Sequence, residues 1–177
     1  MTTTNNAVKG DNKTQDAYSD QAQMNARSVS EWYDRIVTAT DKCPFCDLKD
    51  KYIIQELDGM VLTVNLFPYI DGHLMIVPRR HIEALVDLTD QEIVASKKLM
   101  DTGMRLLREE LDYVNINVMY REGSKNSGSS LKHLHIHILP ITEDFLHYEK
   151  TQFTWIFQKI KFPPREIAER FRARLHK

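Results

Sequence analysis

Little in this chain points away from a single compact domain. It has only two cysteines, Cys43 and Cys46, too close together to staple a secreted fold. It has no apolar run near the roughly 18 residues that a membrane span needs. No signal peptide opens it. Charge of one sign is also lacking: 24 basic and 25 acidic residues leave a net charge of −1, which excludes a general nucleic-acid or membrane-surface binder. No internal repeat and no second domain emerge along the 177 residues, a length at which one domain buries roughly 70% of its unfolded surface. These absences describe a soluble, cytoplasmic protein with no nucleic-acid or membrane partner.

What is abundant is local. Three of the seven histidines, His133, His135 and His137, recur every second residue within Leu131-Lys132-His133-Leu134-His135-Ile136-His137-Ile138-Leu139-Pro140. A period of two belongs to a β-strand, whose successive side chains point to opposite faces. Leu134, Ile136 and Ile138 then enter the core, while the three imidazoles line the other face about 6.6 Å apart along the strand. Imidazole titrates near neutrality, attacks electrophiles and binds metals. A half-exposed strand that merely carries histidines accounts for one such residue far better than for three in register.

Cys43-Pro44-Phe45-Cys46 offers two thiolates at the spacing of half a tetrahedral zinc site. The competing reading is a redox pair, which wants its first cysteine at a helix N-terminus after a buried strand. An amphipathic helix is expected before this pair, with Ser28 and Glu31 as its capping box and its end near Thr38, so the context favours zinc. His81 alone is a surface histidine at a helix start; beside an incomplete cysteine pair it becomes the candidate third ligand.

The remaining chain alternates strands and helices. Residues 1–27 are polar and aperiodic, a solvated tail. Residues 52–57 and 61–66 form a hairpin about Asp58-Gly59-Met60, residues 73–78 a buried strand, and residues 113–120 another. Thr89 and Glu92 cap a long helix over residues 90–111, with Ile93, Ser96, Lys97, Met100, Met104 and Leu107 on its inward stripe. Residues 121–130 are rich in glycine and serine, either a flexible connection or a cradle of exposed N–H groups for an anion; their place directly before the histidines favours phosphate. Residues 151–162 are apolar enough to need burial, and Pro163-Pro164 opens a last helix whose basic residues form a solvated face.

His133-Leu134-His135-Ile136-His137-Ile138-Leu139 resembles the signature of the histidine-triad (HIT) superfamily of nucleotide hydrolases and transferases. Residues 65–78 resemble that family's strand pair entering the nucleotide pocket, and the likeness covers residues 43–145. The Gly-Ser-Ser before the triad is most similar to the bacterial branch that hydrolyses or phosphorolyses dinucleoside polyphosphates.

The resemblance implies an α+β fold: a five-stranded, mainly antiparallel sheet with one long helix packed on it, over residues 28–145. Residues 146–177, with the C-terminal helix, then pack on that domain or on a dimer partner. It implies cleavage at the α-phosphate of a dinucleoside polyphosphate or related nucleotide conjugate through a nucleotidyl-histidine. His135 is the implied nucleophile, assisted by His137. His73, Asn65, Gly128, Ser129 and Ser130 are implied to hold phosphate and ribose. Arg121 stands where relatives usually carry Asn or Gln near the scissile phosphate; a cation there favours a more anionic leaving group, unless it points to solvent. The resemblance further implies a structural zinc on Cys43, Cys46, His81 and His133, an adenosine-type purine nucleotide as substrate, and a homodimer. A nucleoside phosphoramidase and a non-catalytic nucleotide-binding adaptor are the alternatives. A zinc hydrolase with a metal on two triad histidines is disfavoured by the closed ligand set.

Overall fold

The computed structural model describes residues 19–25, 43–123, 131–142, 146–149, 152–155 and 159–176. Five strands form one antiparallel sheet: β1 (Ile53–Leu57), β2 (Met60–Val64), β3 (Leu74–Pro78), β4 (Asn115–Tyr120) and β5 (Ile136–Ile141), in the order β1-β2-β3-β5-β4. The fold is the α+β arrangement expected from the sequence.

β1 and β2 are joined by Asp58 and Gly59, with φ of 48° and 78°. Two consecutive left-handed residues make the turn whose twist matches that of a hairpin, and an Asp-Gly pair adopts it at low cost. On β2, β3 and β5 alternate residues (Leu62, Val64, Leu74, Ile76, Ile136, Ile138) belong to the main core. Met75 and Val77, on the opposite face of β3, pack with Phe45 in a second, smaller cluster. The central strands are therefore covered on both faces.

The helix α2 (Asp90–Leu111) lies on the main core. α1 is the short helix Asp20–Asn25. Thr89 and Glu92 form the reciprocal capping box read from the sequence. Of the expected stripe, Ser96 and Leu107 are buried and Met100 and Met104 pack against the core, but Ile93 and Lys97 are exposed and the centre of the stripe is shifted. Ala95, Leu99, Gly103 and Leu106 face the sheet, while Ile93 and Val94 are about half exposed. Small residues decide the shift. A Cβ on Gly103 would stand 3.1–3.3 Å from Ile138, Leu62 and Leu74, so the helix lies closest where it has least side chain.

The C-terminal helix α3 (Pro164–Leu175) carries a buried face opposite the basic one. Its arginines reach outward, but Ile167, Ala168 and Phe171 are fully buried in the main core. Arg172 donates to main-chain carbonyls of Lys51 and Ile53, and Arg170 to that of Glu110. Burying Phe171 alone contributes about 2–3 kcal/mol. α1 lies within the stretch read as tail; Gln23 is buried there and donates to Tyr52 Oη at 2.7 Å, and Asp20 pairs with Arg165. A hairpin, β6 (Leu146–Glu149) and β7 (Gln152–Trp155), follows β5. The expected helix over residues 28–38 and the glycine-serine stretch 124–130 lie outside the described residues.

Candidate active site and metal centre

The β5 ladder begins only at Ile136, so His133 and His135 stand just before it. Their alternation nevertheless persists, with Leu134 and Ile136 in the core and all three imidazoles on the other face. That face is not open to solvent. His133, His135 and His137 are 1%, 6% and 4% exposed: the Phe45 ring centroid lies 5.7 Å from that of His133 and 5.0 Å from that of His135, while His137 packs with His73 and Tyr69.

Strand register assembles the other end of the histidine row. Met75 pairs with His137, so His73, two residues earlier on the same face of β3, sits diagonally beside it. His73 Nε2 and His137 Nδ1 are 2.8 Å apart. The backbone N–H of Tyr69 donates to His73 Nδ1 at 3.3 Å. A backbone donor has no alternative tautomer, so it assigns the proton of His73 to Nε2 and the lone pair facing it to His137 Nδ1. His137 then carries its proton on Nε2. Asn65 accepts the N–H of Phe67 on Oδ1, and its amide nitrogen lies 3.2 Å from His73 Nε2, the same atom that faces His137. Tyr69 stacks on His73 with centroids 5.0 Å apart and 28° between planes, and Arg121 donates to Tyr69 Oη at 3.5 Å. β4 pairs Tyr120 with Ile136, which brings Arg121 to the level of His135.

His135 itself is fixed by main chain. Its Nδ1–H donates to the His133 carbonyl at 2.7 Å, leaving Nε2 with the lone pair. Burial, and then the positive charge of Arg121, hold its pKa below the ordinary value, so the ring is neutral near pH 7. A neutral imidazole with a directed lone pair, next to a second imidazole 4.8 Å away and a guanidinium, is equipped to attack an anionic phosphorus centre.

A different group converges on the first histidine. Cys43 Sγ lies 3.3 Å and Cys46 Sγ 3.6 Å from His133 Nδ1, and Cys46 Sγ lies 3.2 Å from His81 Nδ1. All four ligand atoms fall within 4.8 Å of one another. Tetrahedral zinc with bonds of about 2.0–2.3 Å spaces its ligands about 3.5 Å apart, so the quartet fits that ion. His133 donates Nε2–H to the Pro78 carbonyl at 2.9 Å, which turns its Nδ1 lone pair toward the sulfurs. Burial pushes the His133 pKa down, and burial together with the Cys43 sulfur pushes the Cys46 thiol up. Four protein ligands leave a metal no open position for substrate.

The structure thus brings together the triad with His73, Asn65 and Arg121, and separately the four metal-ligand candidates. Gly128, Ser129 and Ser130 lie outside the described residues. Sequence reasoning missed Phe45 and Tyr69, although both stand inside segments singled out for other residues. Among the described residues, no helix is long and apolar enough to cross a membrane.

Comparison with known proteins agrees with this geometry. The HIT domain model matches residues 48–144. The AP-4-A phosphorylase of Mycobacterium tuberculosis is 36% identical over 111 residues, 58% of this chain and 55% of that protein. A bis(5'-adenosyl)-triphosphatase of Dictyostelium discoideum is 31% identical over 77 residues, covering 44% of this chain and 51% of that one. The chain spans about half the length of these curated relatives. Among solved structures, a Zn-bound histidine triad family protein from Mycobacterium smegmatis matches 76% of this chain and 94% of its own, with a TM-score of 0.58 and 20% identity, a likeness of fold alone.

Proposed function

The chain belongs to the HIT domain family, and from that premise we propose that it cleaves dinucleoside polyphosphates, or closely related nucleotide conjugates, at the α-phosphate through a nucleotidyl-histidine. The observation that carries this reading is the His135 ring, whose Nδ1–H is held by a carbonyl at 2.7 Å while its Nε2 keeps the lone pair.

In the first step His135 Nε2 forms a bond to the α-phosphorus, and the bond from phosphorus to the leaving-group oxygen breaks with its electron pair. His137, protonated on Nε2 through the Tyr69–His73 relay, donates toward the phosphate oxygens. Arg121 offsets negative charge on the departing polyphosphate, which favours an anionic leaving group over the amine of a phosphoramidate. In the second step the oxygen of water or inorganic phosphate attacks the same phosphorus and the N–P bond breaks, regenerating neutral His135. The product is a nucleoside monophosphate with water and a nucleoside diphosphate with phosphate. Asn65, Gly128, Ser129 and Ser130 hold the ribose and the phosphate oxygens in this reading.

Cys43, Cys46, His81 and His133 would hold one structural zinc, which when bound ties the segment around Phe45 to the first histidine. An adenosine-type purine is the favoured base, after the relatives named adenosyl hydrolase and phosphorylase. A homodimer is supported by the edge strand β4, on which Val118 is 43% exposed, and by Val114 just before it, 79% exposed. We assign the protein to the cytoplasm.

Turnover of adenosine and guanosine dinucleotides and of adenosine phosphoramidate, each with and without inorganic phosphate, tests the reading. The polyphosphates should turn over and lose activity with His135→Asn. Exclusive turnover of the phosphoramidate would overturn the role given to Arg121, and binding without turnover of any substrate would leave an adaptor.

A further inference from the structure

Asp71 plays no part in the chemistry above, yet its carboxylate is almost wholly buried at 9% exposure. It accepts the backbone N–H of Lys161 on both oxygens at 3.1 Å and that of Phe162 on Oδ1 at 3.2 Å. Burial pushes its pKa up, against the pull of those two amides. A buried carboxylate stays in place only where such donors compensate its lost hydration.

The position of this grip gives it a consequence. Asp71 sits in the loop of residues 68–72, between Ile70 and Gly72. That loop's backbone touches His73 twice: Tyr69 N–H donates to its Nδ1, and its own N–H donates to the Ile70 carbonyl at 3.2 Å. Beside the grip, Phe162 and Pro164 line one shallow pocket together with Asn65, Pro68, Asp71 and His73. The C-terminal segment is therefore fastened to the backbone that assigns a tautomer to the site.

We propose that Asp71 is a positioning residue: by gripping the Lys161 and Phe162 amides it holds the loop of residues 68–72, and with it the Tyr69 donor, so that His73 keeps its proton on Nε2 for His137. The activity consequence rests on the proposed function; the tautomer consequence does not. Asp71→Ala removes the acceptor shared by the Lys161 and Phe162 N–H groups and frees the loop. Asp71→Asn keeps an acceptor at Oδ1, the oxygen that reaches both amides.

The test is long-range nitrogen–proton correlation NMR of the His73 ring in the intact protein, alongside kcat and KM. Wild type should show one tautomer, protonated on Nε2. Asp71→Ala should show both tautomers and a fall in kcat of about tenfold or more with KM changed less than threefold, and Asp71→Asn should recover most of both. Arg172→Ala, which loosens α3 from β1 far from this loop, should leave the tautomer and kcat unchanged. If Asp71→Ala does not fold, Asp71→Ser, too short to reach the amides, is read in the same way. A pure Nε2-protonated His73 in the loosened variants, or an equal tautomer change in Arg172→Ala, overturns the proposal. Mixed tautomers in a protein whose wild type turns over no nucleotide uphold the positioning and sink the function.

Discussion

His135 donates its Nδ1–H to the backbone carbonyl of His133, while the ring of His133 points its own Nδ1 at the Cys43 and Cys46 sulfurs. One residue therefore serves two clusters: its side chain belongs to the four metal-ligand candidates, and its main chain fixes the ring of His135. Phe45, between the two cysteines, makes the second link, its ring lying on both histidines. Whatever secures the quartet also secures the orientation of His135.

Loss of the metal should accordingly cost both stability and turnover. Cys43→Ser removes one ligand, and elemental analysis should show zinc falling from about one per chain to well below it. A loss of about 3 kcal/mol lowers the melting temperature by about 6–12 °C at this chain length. Zinc that stays stoichiometric in a variant of unchanged stability would remove the quartet from the account.

Acid should weaken the fold through Glu92. Its carboxylate takes a two-pronged contact from Arg80 at 2.7 Å and closes the capping box of α2, and the Arg80 hydrogen bond is the main cause that draws its pKa down to about 2. The folded value lies below the unfolded one, near 4.3. The stabilisation is thus complete above about pH 5 and is lost as pH falls toward 2. Arg80 is 45% exposed, so solvent screens the pair and its contribution is modest. Urea unfolding of wild type and Glu92→Gln should differ most above about pH 5 and by progressively less as pH falls toward 2. A difference independent of pH would contradict it.

The parts legible in the sequence were those set by period and punctuation. The strand of residues 113–120 and the histidine strand followed from alternation, the other strands from β-rich runs between turn signals, and α2 from its capping box. Cys43, Cys46 and His81 followed from an incomplete cysteine pair, while His133 as fourth ligand came only from the family resemblance. Three features were hidden for physical reasons. The buried face of α3 consists of Ile167, Ala168 and Phe171 among arginines, too few apolar residues to outweigh the charge in a pattern. The inward stripe of α2 turned on Gly103, whose value is the absence of a side chain. The grip of Asp71 falls on main-chain amides some ninety residues away, and no side-chain pattern announces a backbone donor.

Gly72 and Gly59 separate strain from space. Both have positive φ, +80° and +78°, but a Cβ on Gly72 would come within 2.7 and 2.8 Å of Leu107 and Leu111, while one on Gly59 meets nothing within 4 Å. Gly59→Ala should cost about 1–2 kcal/mol, the backbone penalty alone. Gly72→Ala should cost about 2–4 kcal/mol, because overpacking a filled core is added. Equal costs in denaturant unfolding would show that the loop of residues 68–72 does not lie tightly on α2.

The covalent step is the centre of the account. Rapid quenching of the protein with a dinucleoside tetraphosphate under denaturing conditions, followed by mass spectrometry of the peptide spanning residues 133–140, reads it directly. The account predicts a nucleoside monophosphate joined to His135, formed within one turnover and missing in His135→Asn. Turnover at full rate with no adduct at any quench time, or an adduct on His133 or His137 instead, would contradict it.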